Sequence, residues 1–152
     1  MFPAPLSEIP AGMMDGKGSF VGVAAKEMAE ETGIVITAAD LQDLTELAYG
    51  AGETAGPGGA EAAAAGGALH GMYPSAGGCD EFIRLFYHSQ EVTREYLESL
   101  HGKLTGAAEE GETIRLELVA YDSVWKLCAE AKALSALLLY ERLSAAGKIR
   151  EP

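Results

Sequence analysis

The chain has 152 residues, 48% of them hydrophobic, which is enough for one ordinary domain with a real core and too apolar for wholesale disorder. Lys plus Arg number 11 against 23 Asp plus Glu, a net charge of −12 that repels nucleic-acid phosphates and argues against a general DNA- or RNA-binding role. The same charge attracts divalent cations, and a cation can bring a phosphate ester to an acidic site.

Leu6-Ser7-Glu8-Ile9-Pro10 reads as the end of a strand that Pro10-Ala11-Gly12 terminates, and a glycine-punctuated loop runs from Gly12 to Gly18. Ser19 is placed to cap a helix from Phe20 to Thr32, with Val21, Ala24, Ala25 and Met28 on one apolar face and Gly33 as its stop. Thr37 caps a short turn at Ala38–Leu41. Residues 50–71 are low-complexity Ala and Gly, costly to order, and read as a flexible insertion within a single domain spanning 1–152. A strand is expected over Glu81–His88, a short helix or turn over Glu91–Leu100, and a strand over Ile114–Val119. Ser123 opens another helical stretch, and a last helix runs from Ala129 to Ala145. Strands and helices in this order imply an α/β or α+β sandwich.

Cys79 and Cys128 lie far apart with no Cys-x-x-Cys or Cys/His spacing, so neither a zinc site nor a disulfide framework is indicated, and a reduced compartment is the default. His70, His88 and His101 show no ligand pairing. No apolar run approaches the ~20 residues of a membrane span, and Met1–Leu6 shows no signal- or transit-peptide pattern.

The chemistry concentrates in Lys26-Glu27-Met28-Ala29-Glu30-Glu31-Thr32-Gly33-Ile34. On a helix, Glu27, Glu30 and Glu31 fall within an arc of about 100°, away from the apolar stripe. Like charges at i and i+4 oppose the helix, and carboxylates near its C-terminal end gain nothing from the macrodipole. A divalent cation supplies a reason for them, since magnesium takes hard oxygen ligands. Taken alone, such a run is more often a solvated acidic face.

The wider pattern changes the reading. Gly12, fourteen intervening residues, then Glu27-apolar-x-Glu-Glu-x-Gly-apolar resembles the Nudix box, Gly-x5-Glu-x7-Arg-Glu-apolar-x-Glu-Glu-x-Gly-apolar. Pro10-Ala11-Gly12-Met13-Met14-Asp15, Lys17-Gly18, Phe20-Val21-Gly22, Tyr73-Pro74-Ser75, Gly77-Gly78-Cys79-Asp80-Glu81 and Ala131-Lys132-Ala133-Leu134 resemble the ADP-sugar diphosphatase branch of the Nudix hydrolases, above all its plant plastid form.

That resemblance implies a Nudix-type α/β/α sandwich with a mixed sheet. It implies magnesium, with manganese as a substitute, held by the carbonyl of Ala11 and by Glu27, Glu30, Glu31 and Glu112. Glu30 thus belongs to the catalytic set. Glu110 is the implied general base, with Glu109 able to hold either loop role. Ser75, Gly77, Gly78 and Glu81 line the implied substrate pocket. The reaction is hydrolysis of an ADP-sugar, ADP-glucose or ADP-ribose, to AMP and a sugar 1-phosphate. A homodimer is implied, in the plastid by resemblance or in the cytoplasm, with no nucleic-acid or membrane partner.

Three departures from the family pattern bear on activity. Gly18 stands where the first box Glu is usual, and Lys26 where the box Arg is. Lys26 keeps the charge without the planar fork that grips a carboxylate twice. Ala76 replaces the Pro of a Ser-Pro-Gly-Gly motif, and only eleven residues precede Gly12, so the sheet is expected to lack amino-terminal strands. The alternative expectation is a catalytically impaired Nudix-derived module that binds a nucleotide sugar or a partner.

Overall fold

The computed structural model describes residues 7–14, 19–50, 71–106 and 111–152. Its first helix, α1 (Phe20–Thr32), has the expected limits. The Ser19 hydroxyl accepts from the Gly22 N–H at 3.2 Å, and Gly33 closes the helix in the left-handed region at φ 73°. A 3-10 turn follows at Ala38–Asp40, where the Asp40 carboxylate accepts from the N–H (2.8 Å) and hydroxyl (2.7 Å) of Thr37. Then come β1 (Gln42–Asp43), α2 (Leu44–Tyr49), β2 (Phe86–Tyr87), α3 (Arg94–Leu100), β3 (Leu104–Thr105), β4 (Ile114–Arg115), α4 (Tyr121–Leu127) and α5 (Ala131–Ala145).

The chain mixes helix and strand as expected, but among the described residues the strands form two separate antiparallel pairs, β1–β2 and β3–β4, rather than one mixed sheet. Each pair is two residues long for a local reason. The Asp43 carboxylate caps α2 by accepting from the Glu46 N–H at 2.8 Å, so β1 becomes helix at Leu44. That leaves β2 little to pair with, and the strand expected over Glu81–His88 shrinks to Phe86–Tyr87 plus a bridge between Ile83 and Met72. Likewise β3 begins just after α3 ends, and the strand expected over Ile114–Val119 keeps Ile114–Arg115, with Leu116 still bonded to Gly102 and Lys103.

Residues 7–10, expected as the end of a strand, form none. Pro10 has no N–H to give a ladder, and the run is held by side chains instead. The Cys128 thiol donates to the Ser7 carbonyl (2.9 Å), and Lys132 pairs with Glu8 (3.4 Å). Helix α3 starts at Arg94 because the Thr93 hydroxyl caps it, α4 starts at Tyr121 rather than Ser123, and α5 starts at Ala131 under a Glu130 cap. The Ala/Gly insertion falls, except for its two end residues, outside the described residues.

The core sits where α2 crosses α5. Leu44, Leu85 and Leu143 are buried together, flanked by Leu47, Met72, Ile83 and Leu139. Tyr87 stacks on Tyr140 with ring centroids 4.7 Å apart. The largely buried Gln42 amide exchanges two hydrogen bonds with the backbone of Arg150, at 2.7 and 2.8 Å, fixing the end of the chain to β1. No helix among the described residues is long and apolar enough to cross a membrane.

Candidate metal centre

Helix α1 presents its carboxylates between two irregular segments. On one side lies the Ala11–Gly12 loop. The Ala11 N–H donates to Glu31 Oε2 at 3.1 Å, and a Cβ built on Gly12 would overlap the Glu27 carboxyl group. Only glycine lets the loop come this close with Glu27 where it stands. On the other side lies the β3–β4 corner. The Thr105 hydroxyl donates to the Glu31 carbonyl, and the Gly106 N–H donates to the Glu30 carbonyl at 3.3 Å. These bonds satisfy carbonyls that the C-terminal turn of a helix otherwise leaves open. They also set Gly106, at φ 95°, against Glu112, whose Oε2 is 3.3 Å from where a Gly106 Cβ would stand.

The electrostatics follow from that assembly. Partial burial raises the Glu31 carboxyl above the ordinary carboxylate range, the Ala11 N–H draws it back down, and the negative charges of Glu27, Glu112 and Glu8 push it up again. Three of the expected metal ligands, Glu27, Glu31 and Glu112, therefore share one field. Of Ala11 it is the N–H, rather than the carbonyl, that meets a carboxylate. Glu30 is turned toward Lys26, whose Nζ lies 2.9 Å from its carboxylate in an exposed pair. Glu109 and Glu110 lie outside the described residues.

The expected substrate residues are apart from this cluster in the chain and form a turn of their own. The Gly78 and Cys79 N–H groups both donate to the Ser75 carbonyl at 2.9 Å, while Gly77 has open space around it and Glu81 is exposed. An open groove of about 420 Å³ lies elsewhere among the described residues, between α4 and α5, lined by Tyr121, Asp122, Trp125, Leu134, Leu137, Leu138 and Glu141. It contains none of the expected site residues.

The chain is 37% identical over 143 residues to Nudix hydrolase 14, chloroplastic, of Arabidopsis thaliana. It is a Nudix hydrolase homologue. The match covers 93% of this chain but 41% of that relative, so the chain spans about two-fifths of its length. No family model and no solved structure matches the chain.

The box-like spacing of Gly12 and Glu27 is matched by contact in the fold, with Gly12 against Glu27 and Ala11 bonded to Glu31. The donors of the box are all oxygens, the chemistry that magnesium or manganese takes. In that respect the residues fit a hard dication. Their placement is looser: among the described residues no three Asp, Glu, His or Cys side chains converge closely enough to hold an ion. Glu31 and Glu30 each already hold a hydrogen-bond donor.

Sequence reasoning missed Thr105 and Gly106, which tie the box helix to the Glu112 corner. Gly106, just ahead of Ala107-Ala108-Glu109-Glu110, was the available signal, because glycine before an acidic loop marks a sharp turn. It also missed Glu8, which reaches Glu31 electrostatically from the other side.

Proposed function

We propose that this chain hydrolyses the phosphoanhydride of an ADP-sugar within a Nudix α/β/α sandwich, ADP-glucose to AMP and glucose 1-phosphate or ADP-ribose to AMP and ribose 5-phosphate. The observation that carries the reading is the seating of the Ala11–Gly12 loop on Glu27 and Glu31 of the box helix, in a chain homologous to a Nudix hydrolase. Magnesium, or manganese in its place, supplies charge neutralisation at the diphosphate oxygens when bound. The Ala11 carbonyl, Glu27, Glu30, Glu31 and Glu112 are the groups that hold it.

The chain's own residues do the rest. Glu110 takes the proton of a water that attacks phosphorus as the bridging P–O bond breaks. Ser75, Gly77, Gly78 and Glu81 orient the nucleotide sugar, the glycines by offering backbone N–H groups. Reactions of this kind need positioning and charge stabilisation rather than a covalent nucleophile. For Glu30 to serve, it must exchange Lys26 for the ion, a modest cost because an exposed i,i+4 pair stabilises by less than about 1 kcal/mol. The protein acts as a homodimer in the plastid, a reading supported by its likeness to a chloroplastic relative.

The Lys26–Glu30 pair favours one second reading, a Nudix-derived module that binds a nucleotide sugar without turning it over. The two part on release of AMP from ADP-glucose and ADP-ribose, measured with magnesium, with EDTA and with Glu30→Gln. Magnesium-dependent release lost in Glu30→Gln supports hydrolysis. A folded chain that binds both nucleotides and releases no AMP supports the second reading.

A further inference from the structure

Phe20 opens α1 and shares a face of that helix with Glu27 and Glu31. At i, i+7 and i+11 the three lie within about 40° of one another, with Phe20 roughly 10 Å along the axis from Glu27. The Phe20 ring meets Phe82 edge-on at 5.6 Å, and Phe82 lies 6.3 Å from Tyr73 at a tilt of 37°. Phe20 and Tyr73 remain 37% and 49% exposed.

The Arg84 guanidinium lies over the Phe20 ring, 5.6 Å from its centroid. Asp43 and Glu46 both grip this guanidinium, whose side chain is only 18% exposed. A cation held by two carboxylates fixes the orientation of the ring beside it. The outcome is a partly exposed, rigidly backed aromatic cluster whose helical member, Phe20, lies on the same face of α1 as Glu27 and Glu31. Such a surface suits stacking against a planar heterocycle. In a nucleoside diphosphate one ribose separates the base from the diphosphate, a span comparable to that between Phe20 and Glu27.

We propose that Phe20 and Tyr73, steadied by Phe82 and Arg84, stack the base of a nucleoside diphosphate whose diphosphate lies at Glu27 and Glu31. The proposal rests on the diphosphate-hydrolase reading above and adds to it a nucleobase subsite built by this chain alone.

The test is equilibrium binding to the full chain with magnesium, using etheno-ADP followed by fluorescence anisotropy and inorganic pyrophosphate as a base-free competitor. Etheno-ADP is expected to bind at least tenfold more tightly than pyrophosphate. Tyr73→Leu is expected to weaken etheno-ADP about fivefold or more and leave pyrophosphate unchanged, and Tyr73→Trp to restore the affinity. Equal affinities for the two probes, or a Tyr73→Leu effect on both or on neither, overturn the subsite while leaving the hydrolase reading intact. If neither probe binds with magnesium, or if etheno-ADP binds and pyrophosphate cannot displace it, the diphosphate reading fails and the proposal falls with it.

Discussion

Gly12 and Glu27 occupy space that no side chain on residue 12 could share. The obstacle is the end of a flexible glutamate rather than backbone, and Gly12 is not among the positive-φ glycines. Gly12→Ala is therefore expected to leave stability within about 1 kcal/mol of wild type while turning the Glu27 carboxylate away. Chemical denaturation is expected to show little change, and a magnesium titration followed by melting temperature is expected to lose most of its stabilising effect.

Glu31 stands in the field of Glu27, Glu112 and Glu8. Glu31→Gln keeps an oxygen for the Ala11 N–H and removes one of the repelling charges. Without metal the variant is expected to be more stable by a few tenths of a kcal/mol, about 0.5 at low salt, and the gain should shrink as salt screens it. With magnesium the order reverses, because an ion that binds only the native chain stabilises wild type. Melting curves in EDTA and in magnesium at two ionic strengths check both halves.

Gly33 ends α1 at φ 73°, and a Cβ there would approach Lys103 Nζ to 2.5 Å. Gly33→Ala is expected to destabilise by about 1–2 kcal/mol, the cost of a left-handed conformation with a side chain. Gly33→Asn, better suited to that conformation, is expected to lose less, as urea denaturation of the pair can show.

Glu130 caps α5, accepting from the Lys132 and Ala133 N–H groups at 2.9 and 3.1 Å and pairing with Lys132 Nζ at 3.1 Å. Partial burial pushes its carboxyl up, but these hydrogen bonds and the Lys132 charge outweigh it and hold the group below the ordinary value of 4.5. Between the lowered folded value and 4.5 the unfolded chain binds more protons, so the contribution is fully present above 4.5 and is lost as pH falls through the folded value. Glu130→Ala is expected to cost about 1 kcal/mol at neutral pH. Stability measured from pH 7 downward is expected to show that gap closing on the acid side.

How much was legible depended on how local each cause was. Helix α1 could be read to the residue because Ser19 and Gly33 mark its ends in the chain itself. Helix α2 was missed although Asp43 and Glu46 stand at cap and third position, since that signal was passed over between the turn at Ala38 and the Ala/Gly run. Strand lengths were overestimated because a ladder extends only as far as its partner, and the partners of Phe86–Tyr87 and Ile114–Arg115 are cut short by neighbouring helices. At the site, the box spacing placed Gly12, Glu27 and Glu31 together, whereas the Thr105–Glu31 tie spans 74 positions and leaves no trace in any short window. The grip of Asp43 on Arg84 was hidden in the same way.

The run that carries Ala11 to Glu31 is itself moored at its start. Ser7 is bonded to the Cys128 thiol across 121 positions, and Glu8 pairs with Lys132 on the first turn of α5. A blemish at that buried sulfur, such as oxidation or alkylation after a transient opening, would cast off the mooring. The damage would then register far away, as slack in the backbone that the acidic helix depends on.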